Sequence, residues 1–393
     1  MSRMTQVREI VLMNLRSIPD RLAASLVIVV GIAGVVGVMV ALLSMSSGLE
    51  QTLGGTGRDD QVVITRGGTQ GELASFLAIG SATLIKQDPG IARAADGLPA
   101  ASGETIVITE VPRAGQRSGA NVSLRGIEPS GFALRDGFRI TAGRRFRPGV
   151  LELIVGKGAV EQFAGLDIGN TLRFRGASWT IVGHFESGGA YDSELWSDRE
   201  TVQGAFGRAG VSSVLAQLRT LDSFDALKTR LTTDPQLDVD VRRQRDFFSG
   251  QSGNLTTIIG SLAGIVATIM AFGATFGALN TMYSAVSART QEIGTLRALG
   301  FGALPVIASV MAEALLLSLA GGVLGATIAY LLFNGYAVST LGGSFTQIAF
   351  QFAVTPGLVA LGVGLALMIG FIGGLAPAIR AARLPVTAAL RGG

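Results

Sequence analysis

Four long stretches of this chain carry almost no charge, and they limit what it can fold into. Leu22 to Met45 holds no charged residue. As a helix rising 1.5 Å per residue it reaches roughly 35 Å, enough for the ~30 Å hydrocarbon core of a bilayer. Leu255 to Val286, Leu304 to Phe333 and Gly357 to Leu375 are three further apolar runs, and Glu313 is the one Asp, Glu, Lys or Arg inside any of them. The first run is longer than the ~7–15 residues of a signal-peptide core and no small-x-small cleavage site follows it, so it is expected as a retained anchor. Composition agrees: 15% of the 393 residues are charged, 48% are hydrophobic and 55 are glycine. Soluble domains average about 25% charge. Gly260/Gly264, Gly273/Gly277, Gly321/Gly325 and Gly370/Gly374 repeat the small-xxx-small spacing that lets membrane helices approach closely, which predicts a tightly packed bundle.

The short segments between the runs set the orientation. Residues 1–21 hold Arg3, Arg8, Arg16 and Arg21 against Glu9 and Asp20, and residues 287–303 hold Arg289 and Arg297 against Glu292. The last residues hold Arg380, Arg383 and Arg391 with no acid, whereas 334–354 carry no charge. The positive-inside rule places the first three segments in the cytoplasm and the uncharged one outside. The expected protein is a multi-pass membrane α-helical chain of four transmembrane helices, with both termini cytoplasmic and one large α+β domain outside, inserted between spans one and two. The expected division is a cytoplasmic helix at 1–21, spans at 22–46, 255–286, 304–333 and 355–376, the outside domain at 47–254, a cytoplasmic helix at 287–303, a short outside loop at 334–354 and a tail at 377–393. Val7, Val11, Leu15 and Ile18 share one face of the N-terminal helix, which predicts that it lies on the membrane surface against lipid. Glu313 sits near the start of its span. It reads as either a proton or substrate site or, in keeping with that depth, a helix-packing carboxylate.

Several classes of chemistry lack their residues. There is no cysteine, and His184 is the single histidine, which leaves no thiolate metal site and no Ser/His/Asp triad in prospect. The nearest imitation of a phosphate-binding loop, Gly156-Lys157-Gly158, has Leu151 where the first Gly belongs and Gly158 where Ser or Thr would hold Mg²⁺. No catalytic, cofactor or metal site is expected on this chain. The net charge of +4 follows the membrane topology rather than one soluble face, so no nucleic-acid partner is expected.

The outside domain alternates apolar runs with Gly turns. Strands are expected at Gln61–Thr65, Thr105–Val111, Val122–Gly126, Leu151–Val155, Thr171–Phe174 and Trp179–Phe185, and helices at Lys157–Ala164, Arg199–Phe206 and Ser223–Thr232. The domain holds 23 Lys/Arg and 24 Asp/Glu, too even for a lipid- or nucleic-acid-binding surface. His184 lies in a β run and reads as structural. Asp192, Glu194, Asp198 and Glu200 imitate a cation site but, beside a helix start, read as loop caps.

Residues 289–300 read Arg-Thr-Gln-Glu-Ile-Gly-Thr-Leu-Arg-Ala-Leu-Gly. Arg289 and Glu292 are spaced to face each other on a helix, Ile293, Leu296 and Leu299 recur at helical spacing, and Gly300 suits a C-cap. This segment resembles the coupling segment of the MacB/FtsX family of ABC permeases, the mechanotransmission or type VII class. The tail, Pro377-Ala378-Ile379-Arg380-Ala381-Ala382-Arg383-Leu384-Pro385-Val386 and then Ala389-Leu390-Arg391, resembles that family's closing motif. Val155 to Gly158, Leu166 to Leu172 and Ile181 to Gly183 resemble the MacB-type periplasmic core domain, which implies two lobes with a β-rich insertion at about 121–195.

The resemblance implies a non-catalytic permease subunit in the inner membrane of a bacterium. It implies a dimer, homomeric or heteromeric, whose coupling helices dock on a separate ABC ATPase chain that binds ATP and Mg²⁺. In this chain the ATPase-coupling residues are then Arg289, Glu292, Ile293, Gly294, Leu296, Arg297, Leu299 and Gly300, and the tail motif contributes Pro377, Arg380, Arg383, Pro385 and Arg391. ATP-driven motion would pass along spans one and two to the periplasmic domain and drive export or periplasmic handling of a peptide, a lipophilic compound or a lipoprotein. In a MacB-like system a periplasmic adaptor and an outer-membrane channel complete the path. Lipoprotein-releasing relatives share this topology, and FtsX-like regulators of periplasmic enzymes have a smaller domain. A membrane-anchored sensor or scaffold is the reading from a different class.

Overall fold

The computed structural model describes residues 22–69, 71–113, 119–299, 301–341 and 347–383. The expected N-terminal helix, Gly300, Pro385 and Arg391 lie outside them. The chain starts with helix α1 (Leu22–Thr56), then strand β1 (Gln61–Arg66), β2 (Leu77–Ala78), α2 (Ile79–Lys86), β3 (Ala101–Pro112), β4 (Gly119–Ile127), α3 (Ser130–Ala133) and β5 (Arg139–Gly143). It continues with β6 (Glu152–Gly156), α4 (Lys157–Gln162), β7 (Thr171–Phe174), β8 (Ala177–Glu186), β9 (Leu195–Asp198), α5 (Arg199–Phe206), β10 (Gly210–Val211), β11 (Ser213–Gln217), α6 (Ser223–Thr233) and β12 (Val239–Arg243). It ends with α7 (Gln244–Ala288), α8 (Thr290–Ala298), α9 (Ala303–Phe333), β13 (Ala337–Leu341), β14 (Gln347–Gln351) and α10 (Pro356–Arg383). Two compact bodies result. One comprises Met1–Ser47, Ile258–Tyr336 and Phe352–Gly393, the other Gly48–Thr257 with Ala337–Gln351.

The first body is helical. Four helices are long and apolar enough to cross a membrane: Ser25–Thr56, Thr256–Ala288, Ala303–Phe333 and Pro356–Arg383. Their packing rests on glycine. A Cβ placed on Gly321 of α9 would stand 2.8 Å from the Val29 carbonyl oxygen of α1, and one on Gly325 would stand 2.9 Å from the Cα of Ala33. A Cβ on Gly374 of α10 would stand 2.6 Å from the Ala314 Cβ of α9, and one on Gly370 would overlap Ser318. The pairs Gly321/Gly325 and Gly370/Gly374 therefore do what their spacing predicts. Gly260/Gly264 and Gly273/Gly277 do not, because an added Cβ at each would meet nothing within 4 Å. Those four glycines lie on α7, whose exposed face also carries Ile258, Leu262, Ile265, Ile269, Phe272 and Phe276.

The helices differ from the expected spans at their ends. α1 continues to Thr56 and α7 begins at Gln244, because apolar content marks where a span crosses lipid and not where its helix stops. α10 continues through Pro377 to Arg383, so the residues expected to open a separate tail form its last turns. Proline lacks a backbone donor for the residue four positions earlier, here Gly373, which has no side chain to crowd the ring.

The second body is built on a ten-stranded mixed sheet of order β12-β1-β11-β3-β4-β9-β6-β8-β5, with β7 pairing β8. β3 holds it together. Its first residues pair with β11 (Ala101↔Ala216 to Glu104↔Ser213), and its later ones pair with β4 (Thr105↔Gly126 to Pro112↔Gly119). Two hydrophobic clusters follow. Val62, Ile64, Val214, Leu227, Leu231 and Val241 belong to one; Val107, Leu124, Leu153, Trp179, Ile181 and Val202 belong to the other. The second cluster starts at Val107 and ends at Val202. One long strand, β3, serves both clusters, with Ala101 in the first and Val107 and Val111 in the second.

The segment 334–354, expected as a loop, instead contains the antiparallel strand pair β13–β14, paired from Ala337↔Gln351 to Leu341↔Gln347. It packs into the second body: the Ala349 amide donates to Ser193 Oγ at 2.7 Å.

An ion-pair cluster ties β6 to the loop before it. The Glu152 carboxylate accepts from Arg144 at 2.6 and 2.7 Å and from Arg147 at 2.7 Å. The bonds from Arg144, with those from Arg147, outweigh the cost of burial and lower its pKa from 4.5 to about 2. A carboxylate with a depressed folded pKa stabilises fully above its unfolded value, and that contribution is lost as pH falls from about 4.5 towards 2. The guanidinium partners are largely solvated, so the stabilisation is discounted to about 1 kcal/mol. Glu152→Gln should lower stability at pH 7 by about that amount and flatten the acid limb between pH 5 and 3, read by thermal melts of the purified chain.

Candidate functional site

The segment between spans two and three is a short helix whose two faces differ. α7 ends at Ala288, and Arg289 breaks the helical path as N-cap of α8, with φ −105° and ψ 13°. The Ile293 amide donates to the Arg289 carbonyl at 2.9 Å, and the Leu299 amide closes the last turn on the Thr295 carbonyl at 3.0 Å. Ile293 and Gly294 are buried, and Ile293 joins the core of the helical body. Leu296 and Arg297 are half-buried. Gln291, Glu292, Thr295, Ala298 and Leu299 are exposed, and Leu299 shows 73% of its surface. The apolar face read from Ile293, Leu296 and Leu299 therefore divides, with Ile293 holding the helix down and Leu299 standing outward.

Arg289 departs from its expected place. It does not face Glu292 on the outer surface. Its guanidinium turns inward, and Nη1 donates to Glu313 Oε2 of α9 at 3.2 Å. Side-chain exposure is 10% for Arg289 and 6% for Glu313. A guanidinium placed among apolar side chains requires a carboxylate, and removing one partner of such a buried pair costs about 3–5 kcal/mol. Glu313 thus has a buried ion-pair partner at the corner before α8. At the end of α10, Pro377 is buried, while Arg380 and Arg383 are exposed. The Arg380 guanidinium lies 5.4 Å from the centroid of the Tyr283 ring of α7. Both arginines are in the last turn, where cations complement the helix dipole.

In the second body, a charged cluster lies at the centre of the sheet that sequence reasoning missed. Arg125 of β4, 2% exposed, donates to Glu72 (3.0 Å), to Glu104 of β3 (2.7 Å) and to Glu194 (2.7 and 2.8 Å). Arg135 donates to both oxygens of Glu104 at 2.9 Å. Its guanidinium also lies 4.3 Å from the centroid of the Tyr191 ring. Ser213 donates to Glu72 at 2.6 Å, and Trp196 Nε1 donates to Glu194 at 2.8 Å. Burial alone would raise the pKa of Glu104, but Arg135 and Arg125 outweigh it and hold the carboxyl below its ordinary range. Burial would lower the pKa of Arg125, but Glu194 and Glu72 raise it well above the ordinary value. Two residues could have signalled the cluster: Glu104 and Arg125 each interrupt a run that otherwise reads as a buried strand.

The acids weighed as a cation site separate into distinct tasks. The Asp198 side chain caps α5, accepting from Thr201 N at 3.0 Å. Asp192 accepts from Ser187 N at 2.7 Å, and burial raises its pKa above the ordinary range despite these bonds. Glu194 belongs to the Arg125 cluster, and exposed Glu200 pairs with Arg199 at 2.9 Å. Among the described residues no group of three or more His, Asp or Glu is arranged to hold a metal ion. His184 Nε2 lies 2.7 Å from the Leu166 carbonyl oxygen, a backbone contact that ties β8 to the loop before β7.

Two family models match the chain. The MacB-like periplasmic core domain matches residues 22–234, more than half of it, and the FtsX-like permease C-terminal model matches residues 264–386. The ABC transporter permease YknZ of Bacillus subtilis is 31% identical over 209 residues, which are 51% of this chain and 49% of the relative. The macrolide export ATP-binding/permease protein MacB of Campylobacter fetus is 28% identical over 242 residues, 57% of this chain and 35% of the relative. The chain thus spans about half or less of the curated relatives it matches. Among solved structures, the extracellular domain of YknZ has 16% identity and a TM-score of 0.36, covering 46% of this chain and 99% of that domain.

Proposed function

This chain belongs to the ABC transporter permeases that combine a MacB-like periplasmic core domain with an FtsX-like permease region, and from that premise we propose that it couples ATP hydrolysis on a separate ABC ATPase chain to movement of its periplasmic domain. The observation that carries the reading is the division of α8. Ile293 anchors the helix in the bundle, while Gln291, Glu292, Thr295 and Leu299 stand outward between two membrane-spanning helices. A helix held this way can receive a push at its outer face and deliver it to the spans. Arg289 and Arg297 lie between spans two and three, and Arg380 and Arg383 end span four, which supports a cytoplasmic side for α8 and the tail.

Movement would then pass along α1 and α7, which are long enough to extend beyond a bilayer. A second permease subunit would cover the exposed face of α7, where Gly260, Gly264, Gly273 and Gly277 leave room for another helix. The cargo would be exported or handled in the periplasm. Relatives named for macrolide export favour a lipophilic compound, and a peptide or lipoprotein fits the same scheme.

The test is co-purification. The full chain, tagged and extracted in mild detergent with its ABC ATPase co-expressed, should retain the ATPase and its ATP turnover. Glu292→Lys with Leu296→Asp should reduce the retained ATPase by about tenfold or more, since it reverses one exposed charge and buries another at the contact. Wild-type chain that elutes without any ATPase would overturn the reading and favour a sensor or scaffold.

A further inference from the structure

We infer that Arg289 and Glu313 form a positioning clamp through which force on α8 reaches span three; the inference rests on the reading that α8 docks an ATPase. Four observations converge on it. Arg289 is the residue at which α7 stops and α8 begins, so it sits at the corner that would bend if α8 moved independently. Its guanidinium leaves that corner and bonds to α9, a different helix, at 3.2 Å. Glu313 is the eleventh residue of α9, about 15 Å along its axis, so the grip is taken about three turns from the start of that helix rather than at its end. Finally, Arg289 and Glu313 are the two charged residues buried among the described part of the helical body. Apolar attraction is non-directional, whereas a hydrogen-bonded ion pair fixes both distance and direction. The apolar contact of Ile293 can hold α8 near the bundle, while the ion pair determines which span follows it.

Arg289 is therefore a positioning residue and not an ATPase contact. The exposed residues Glu292, Thr295 and Leu299 dock the ATPase, and the clamp routes their displacement into α9, which packs on α1 at Gly321 and Gly325 and so passes it to the first span. Binding and coupling should separate under mutation.

The test uses the full chain in complex with its ATPase in lipid nanodiscs. Arg289→Gln and Glu313→Gln should each retain ATPase at wild-type stoichiometry, because the docking face is unchanged, while ATP turnover per complex falls by about tenfold or more. Arg289→Lys, which keeps the charge and one donor, should recover turnover to within about threefold of wild type. Exchanging the charges, with Arg289→Glu and Glu313→Arg together, should exceed either single neutral variant. Wild-type turnover in both neutral variants would overturn the inference. So would loss of turnover only in proportion to ATPase lost from the complex, or Arg289→Lys behaving like Arg289→Gln. Wild-type chain that retains no ATPase would bring down the functional reading first, and that outcome is distinct from the others.

Discussion

Arg125→Met should unfold the periplasmic domain or leave it marginal, with a loss of about 3–5 kcal/mol or more. Arg125 neutralises Glu72, Glu104 and Glu194 from one buried position. Without it, Arg135 alone remains beside Glu104, and Glu72 and Glu194 lose their cation and keep only the neutral donors Ser213 and Trp196. Domains have a net stability of about 5–15 kcal/mol, so a loss of this size is a large share of the whole. Arg125→Lys should recover little, because an ammonium group has no planar fork to bond Glu72 and Glu194 bidentately. Limited proteolysis and thermal melts of the detergent-purified chain would read the effect. A melt within about 1 kcal/mol of wild type for Arg125→Met would show that the cluster contributes little.

Gly325→Leu should have a comparable effect in the helical body. An added Cβ would stand 2.9 Å from Ala33 Cα and 3.0 Å from its carbonyl carbon, and these are backbone atoms of α1 that cannot rotate aside. Overpacking costs about 1–3 kcal/mol where side chains can shift, and more where two backbones must separate. The expected result is loss of monodisperse chain after extraction. Gly277→Leu is the control: nothing lies within 4 Å of its added Cβ, so the single chain should fold normally. If the exposed face of α7 receives a second permease subunit, Gly277→Leu should weaken that assembly while leaving the chain intact. Equal damage from both substitutions, read by size-exclusion chromatography, would contradict this account of the packing.

The parts of the fold legible in the sequence were those with one-dimensional signatures. Uninterrupted apolar runs marked the four spans, and alternation marked β1, β3, β4, β7 and β8 within a few residues. The strand pair β13–β14 was not recognised, although Ala337–Leu341 and Gln347–Gln351 flank Gly342-Gly343, because an uncharged segment between spans reads as a loop. β11 and β12 are five residues each; β11 takes its stability from β1 and β3 on either side, and β12, at the edge, from β1. Among the candidate site residues, the spacing of Ile293, Leu296 and Leu299 predicted the helix but not which residue turns inward. Ile293 is buried against the core of the helical body, and Arg289 turns inward to Glu313, on another helix. The Arg125 cluster is the clearest failure of the same kind. Its members lie at 72, 104, 125, 135 and 194, and no local pattern joins them; the pairing of β3 with β4 brings Glu104 beside Arg125, and the other three come from the segments folded against those strands.

On the proposed function, the outer face of α8 receives an ABC ATPase. The most direct measurement places a photo-crosslinking amino acid at Thr295, which is exposed and central to that face, in the full-length chain in intact cells, with Thr327 on span three as the comparison site. Identification of the adduct by mass spectrometry as an ABC ATPase subunit, at Thr295 and not at Thr327, is the predicted result. Crosslinks from Thr295 to lipid alone, or to a protein without a nucleotide-binding loop, would contradict the account.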